Sequence, residues 1–146
     1  MAPIYVSRIP EKISEIACGD SHTLVITQSG QVYTMGDNSR GQLGISTTSN
    51  KGISLPTFIE DLAFTKMVKI RAGKFSAALS SEGLLYFWGE GEFGKFHSPH
   101  LMKSEKKLEI SDFQISRGGL AALITRTGQI YSWGPNELGS LGHGDS

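Results

Sequence analysis

Short apolar runs recur along this chain, set apart by Gly, Pro and Ser. Runs of four to seven residues, rich in β-branched and aromatic side chains and bounded by turn formers, predict strands. One stretch orders the rest. Gly30-Gln31-Val32-Tyr33-Thr34-Met35-Gly36 returns as Gly83-Leu84-Leu85-Tyr86-Phe87-Trp88-Gly89 and again as Gly128-Gln129-Ile130-Tyr131-Ser132-Trp133-Gly134. Upstream of each copy lies an unalternated apolar run: Thr23-Leu24-Val25-Ile26-Thr27, Ser76-Ala77-Ala78-Leu79-Ser80 and Ala121-Ala122-Leu123-Ile124-Thr125. Such a run predicts a strand covered on both faces. Gln28-Ser29-Gly30, Ser81-Glu82-Gly83 and Arg126-Thr127-Gly128 join the two runs. Each predicts a hairpin whose last residue needs positive φ, which glycine adopts without steric cost.

Two further pieces precede these runs in each copy. The first starts at a proline: Pro3-Ile4-Tyr5-Val6, Pro56-Thr57-Phe58-Ile59 and Pro99-His100-Leu101-Met102. The second is Ile13-Ser14-Glu15-Ile16, Met67-Val68-Lys69-Ile70 and Asp112-Phe113-Gln114-Ile115. Self-similarity of this period marks a repeat architecture. The units span about 3–55, 56–98 and 99–146, with four strands in each. Side chains alternate along a strand, so Tyr33/Met35, Tyr86/Trp88 and Tyr131/Trp133 each project to one side and are expected to press on a neighbouring unit.

Composition adds limits. Fourteen Lys and Arg balance fourteen Asp and Glu, which argues against direct nucleic-acid binding or an anionic membrane surface. Cys18 is the single cysteine, so an internal disulfide is excluded. With no signal region at the N-terminus and no apolar stretch of bilayer length, an intracellular protein, cytoplasmic or nuclear, is expected.

The string from Ile16 to Gly44, with Cys18-Gly19-Asp20-Ser21-His22 at its head and Gly36-Asp37-Asn38-Ser39-Arg40-Gly41-Gln42-Leu43-Gly44 at its tail, resembles one repeat of the regulator of chromosome condensation family. The resemblance covers nearly the whole chain. It is eroded in the second copy, where Phe75 stands at the His22 position and Lys95-Phe96-His97 replaces the Leu-Gly ending. Leu120 takes the His position in the third. The resemblance implies an all-β fold, a partial β-propeller of about three blades with four antiparallel strands per repeat. Complete members have seven blades. Three blades fall short of closure, so a piece of a longer protein is expected, with further repeats in cis or self-association covering the open blade edges.

Several motifs point elsewhere and fail on chemistry. Gly89-Glu90-Gly91-Glu92-Phe93-Gly94 fits a dinucleotide fingerprint. Pro99 blocks the helix this chemistry needs, and Glu90 and Glu92 repel phosphate. Asp20, Ser21 and His22 are consecutive, whereas a catalytic relay needs convergence. Cys18, His97, His100 and His143 do not form a zinc-ligand set. No catalytic residue, cofactor or metal is expected.

Surface recognition remains. The loops after the Tyr–Trp/Met strands carry Asp37, Asn38, Arg40, Glu90, Glu92, Asn136 and Glu137, which become the candidate partner-binding residues. The expected function is a non-enzymatic protein–protein interaction or regulatory module. The family's founding activity, guanine-nucleotide exchange on a Ran-type small GTPase, is the alternative that the resemblance implies, with that GTPase as the protein partner.

Overall fold

The structure, a computed structural model, describes residues 2–3, 9–91, 93–103 and 107–133. Its strands form three antiparallel sheets. The first is β1 (Ile13–Cys18), β2 (His22–Thr27), β3 (Val32–Gly36) and β4 (Ile53–Phe58), in that order. The second is β5 (Met67–Ala72), β6 (Ser76–Ser80), β7 (Leu85–Gly91) and β8 (Gly94–Leu101). The third holds β9 (Ile110–Ile115), β10 (Ala121–Thr125) and β11 (Ile130–Trp133). Each sheet is one blade of a partial β-propeller. The expected run at residues 4–6 lies outside the described residues.

Hairpin glycines behave as the sequence predicts. Gly30, Gly83 and Gly128 have φ of 89°, 83° and 88°, where a side chain would be strained. The order within a sheet is a correction. The Tyr33 and Tyr86 runs close the sequence units, yet they are third in their sheets. The outermost strand is the proline-bearing run that opens the next unit. Pro56 lies within β4 and Pro99 within β8, each beside a shift in register against β3 or β7. An edge strand with a bulge is where a residue lacking an N–H costs least.

Blades pack face to face. Leu24, Ile26 and Val32 of the first meet Met67, Ile70, Ala78 and Trp88 of the second, with Ile59 and Leu62 closing the end. Ala77, Leu79 and Leu85 leave the second blade on its other face to meet Ile110, Phe113 and Leu123 of the third. The expectation holds for two of the three pairs: Tyr86 and Trp88 press on the first blade and Tyr131 and Trp133 on the second, whereas Tyr33 packs on Phe58 of its own blade. Burial of each large aliphatic contributes roughly 1.5–3 kcal/mol, so these two cores carry most of the stability of the joints.

The same backbone bonds recur at both joints. The Met67 amide donates to the Gly30 carbonyl (3.1 Å), and the Ile110 amide to the Gly83 carbonyl (3.2 Å). At the opposite end Asp20 N–H donates to Gly73 O and Lys74 N–H to Ser116 O, both at 3.3 Å. The sheets are thus stacked by one repeated rule.

A candidate recognition face

The inner turns gather at one end of the arc. Gly19, Gly73 and Ser116 hold equivalent places, each one residue past an inner strand. A Cβ on Gly73 would stand 2.6 Å from the Ser116 carbonyl, and one on Gly19 would stand 2.9 Å from the Gly73 carbonyl. Only glycine lets consecutive turns approach this closely. The following position is then presented once per blade: Asp20, Lys74, Arg117. Arg117 is almost fully exposed and pairs with Asp20 at 3.2 Å, so the first and third blades touch across the inner rim.

Behind this rim runs a buried polar seam. His22 is 4% exposed and its Nε2 lies 2.7 Å from Ser76 Oγ. Ser76 donates its hydrogen to the Gln42 carbonyl (2.9 Å), so it accepts from His22 Nε2–H. Trp88 Nε1–H donates to the same carbonyl at 3.0 Å. Burial lowers the His22 pKa to about 4, although Asp20 and Asp37 pull it the other way. The ring is therefore neutral, with its proton on Nε2.

The seam fixes the β3–β4 loop. Asn38 Oδ1 accepts from Leu43 N–H (3.2 Å) and Asn38 Nδ2 donates to the Ser49 carbonyl (2.9 Å). Gly44, at φ 70°, lies under the Trp88 indole, where a Cβ would come within 2.6 Å of Nε1. Asp37 sits at the mouth. Its carboxylate accepts from the Ser39 hydroxyl (2.6 Å) and Gln42 Nε2 (2.9 Å), and the Ser39 bond leads in holding its pKa below the ordinary carboxylate value. Between loop and rim lies a polar cavity of about 230 Å³, lined by Asp20, Ser21, His22, Asp37, Ser39, Arg40, Gln42 and Lys74.

The structure sorts the sequence-based candidates. Asp37 and Arg40 line this cavity. Asn38 is 1% exposed and its side chain is spent on the loop's own frame, so it presents nothing to solvent. Glu90 is not on a loop: it lies in β7, opposite Lys95 of β8. In this blade the long loop is replaced by a tight hairpin, and Phe75, Phe87, Phe93 and Phe96 pack as an aromatic group where the first blade has its polar loop. Glu92, Asn136 and Glu137 lie outside the described residues. Sequence reasoning missed Asp20, Lys74 and Arg117 as a set. The signal was present, because one turn position is charged in every copy, Asp20, Lys74 and Arg117, and follows a small residue each time, Gly19, Gly73 and Ser116. Among the described residues, no group of three or more His, Cys, Asp or Glu could hold a metal ion.

Known proteins agree with this construction. A profile of the regulator of chromosome condensation (RCC1) repeat matches residues 13–42, and a second one residues 29–79. The human E3 ubiquitin-protein ligase HERC2 is 40% identical over 84 residues, which cover 56% of this chain and 2% of that protein. The human X-linked retinitis pigmentosa GTPase regulator is 40% identical over 90 residues, 59% of this chain and 8% of that protein. The crystal structure of Prp20p from Saccharomyces cerevisiae superposes with a TM-score of 0.71 at 26% identity, covering 86% of this chain and 33% of that one. The chain therefore spans a small part of each curated relative. Two repeat profiles, the shared blade and these relatives place it: this chain is an RCC1-like repeat protein, a partial propeller of about three blades.

Proposed function

We propose that this chain is a non-enzymatic protein-binding module that meets its partner with the face bearing Asp20, Lys74 and Arg117. The observation that carries the reading is the placement of those three side chains at equivalent turns of successive blades, beside a cavity edged by Asp37 and Arg40. Variable polar positions on a rigid scaffold are a common way to build a recognition surface. The residue types of a hydrolase are otherwise engaged, since His22 is bonded to Ser76 inside the joint. Cys18 as the single cysteine goes with an intracellular setting, cytoplasmic or nuclear.

Charge reversal tests this reading. Lys74→Glu combined with Arg40→Glu changes the face and touches neither blade core. Affinity capture with the wild-type chain and with this variant should differ in at least one bound protein, which is lost from the variant. Identical captures would overturn the reading.

Prp20p supports a second reading, because its structure was described together with its binding properties to Gsp1p and histones. The second reading is guanine-nucleotide exchange on a Ran-type GTPase, and the likeness to a Gsp1p-binding protein is what supports it. Release of labelled GDP from such a GTPase, accelerated by substoichiometric amounts of this chain, would put exchange first. An unchanged release rate would remove it.

A further inference from the structure

The charges on the recognition face divide into those already engaged and those still open. Asp37 is engaged. Its carboxylate accepts from the Ser39 amide (3.2 Å), the Ser39 hydroxyl (2.6 Å), Gln42 Nε2 (2.9 Å) and the Ser21 hydroxyl (3.4 Å). A carboxylate has about four acceptor sites, so these donors fill it. Asp20 is paired with Arg117. Glu90 stands opposite Lys95 in the β7–β8 ladder.

The cations are open. Ion pairs among the described residues take up Lys69, Arg71, Arg117 and Arg126, and neither Arg40 nor Lys74 is in one. Both line the polar cavity of about 230 Å³. Lys95 reaches the same loop and gives one N–H to the Ser39 carbonyl at 3.2 Å. Arg117 meets Asp20 through Nε. These groups are also held in place. The Lys74 stem lies over Gly119, where a Cβ would stand 3.2 Å from Cδ. The Arg40 amide donates to Gln42 Oε1 (2.8 Å), and a Cβ on the next residue, Gly41, would stand 2.8 Å from the Phe96 carbonyl of β8. Arg40 and Lys95 therefore stand on the loop side of the cavity, Lys74 and Arg117 on the rim side.

We infer that the partner presents an acidic segment to this face. One Asp or Glu carboxylate of that segment enters the cavity between Arg40 and Lys74, and its neighbours meet Lys95 and Arg117. The inference rests on the reading that this face is the recognition surface. What the face still offers is N–H on positive charge, while its own carboxylates are occupied. A carboxylate is the anionic acceptor that an unmodified protein supplies, and charge-assisted bonds to it are the stronger kind. A nucleic acid would call for a wider basic field than four cations in a chain of net charge +0.

Fluorescence polarisation with a labelled hexaglutamate peptide tests this. The wild-type chain should bind the peptide, and binding should weaken as salt rises. Arg40→Gln combined with Lys74→Gln should weaken it by about tenfold or more, the loss implied by removing charge-assisted contacts. Lys12→Gln combined with Lys66→Gln removes the same charge at the opposite end, where the Lys12 and Lys66 carbonyls accept from Gln28 and Ser81 beside the hairpins. That pair should leave binding nearly unchanged. All four side chains lie outside the blade cores, and circular dichroism checks that both double variants are folded. Absence of hexaglutamate binding to the wild type overturns the inference. So does equal weakening by the two pairs, or tighter binding of a phosphoserine peptide or an oligothymidylate of matched charge. If any of these occurs while affinity captures still differ between the wild type and the Arg40/Lys74 charge reversal, the acidic chemistry is wrong and the face stands. Identical captures remove the face itself.

Discussion

His22 of the first blade and Ser76 of the second share a buried hydrogen bond of 2.7 Å across the joint between them. Ser76 is committed as donor to Gln42, so the bond needs the His22 proton on Nε2, and protonating the buried, unpartnered Nδ1 would place an uncompensated charge inside the joint. The joint thereby becomes sensitive to protonation in a way that an apolar contact would not be.

The first prediction is a loss of stability in mild acid. The folded pKa of His22 is about 4, below its unfolded value of 6.5. Its contribution is present above pH 6.5 and is lost as pH falls toward 4. A shift of this size corresponds to roughly 3 kcal/mol. Urea denaturation at a series of pH values should show that decline in the wild type. In His22→Phe the decline over this window should flatten, and an unchanged profile would contradict the account.

Gly44 and Gly128 separate backbone strain from crowding. Both have positive φ, 70° and 88°. A Cβ at 128 has open space, whereas one at 44 strikes the Trp88 indole. Gly128→Ala should cost roughly 1–2 kcal/mol for the left-handed backbone alone. Gly44→Ala should cost about 1–3 kcal/mol more, because the indole or the loop must move. Chemical denaturation of the two variants reads the difference directly.

Trp88 is fully buried and bonded to the Gln42 carbonyl. Trp88→Phe keeps most of the apolar area and should cost roughly 1–2 kcal/mol through the lost hydrogen bond and the imperfect fill. The blue-edge tryptophan emission should vanish with it, leaving Trp133, which is partly exposed. Emission that keeps its blue edge would mean that Trp88 is not in the joint.

Asn38 and Arg40 are two residues apart and are expected to behave in opposite ways. Asn38→Ala leaves the buried Leu43 amide without its acceptor and should cost about 1–3 kcal/mol. Amide exchange at Gly41 and Leu43 should accelerate in that variant. Arg40→Ala should leave stability within about 0.5 kcal/mol, since its side chain is exposed.

Much of the fold was legible in the chain. Strand runs, hairpin glycines and the stacking of the Tyr–Trp pairs followed from period and turn chemistry. Where one sheet ends was not, because a repeating pattern can be cut at any phase. The hydrogen bonds that assign β4 to the first sheet cross a long loop between Gly36 and Ile53. The site was half legible. Asp37 and Arg40 are polar residues after a strand, and that is where the structure has them. Asn38 looked the same in sequence, yet its amide caps the loop from within. Asp20, Lys74 and Arg117 lie far apart along the chain and meet only because close glycine turns stack the blades.

The joint between His22 and Ser76 holds both the blade packing and the loop that edges the recognition face, so a double-mutant cycle tests the account most directly. His22→Ala, Ser76→Ala and the double variant would be compared by urea denaturation at pH above 7, where the ring is neutral. The account predicts a coupling of about 1 kcal/mol or more, within the range seen for hydrogen-bonded pairs. Strictly additive losses would show that the two residues do not meet, and would contradict the arrangement of the first two blades.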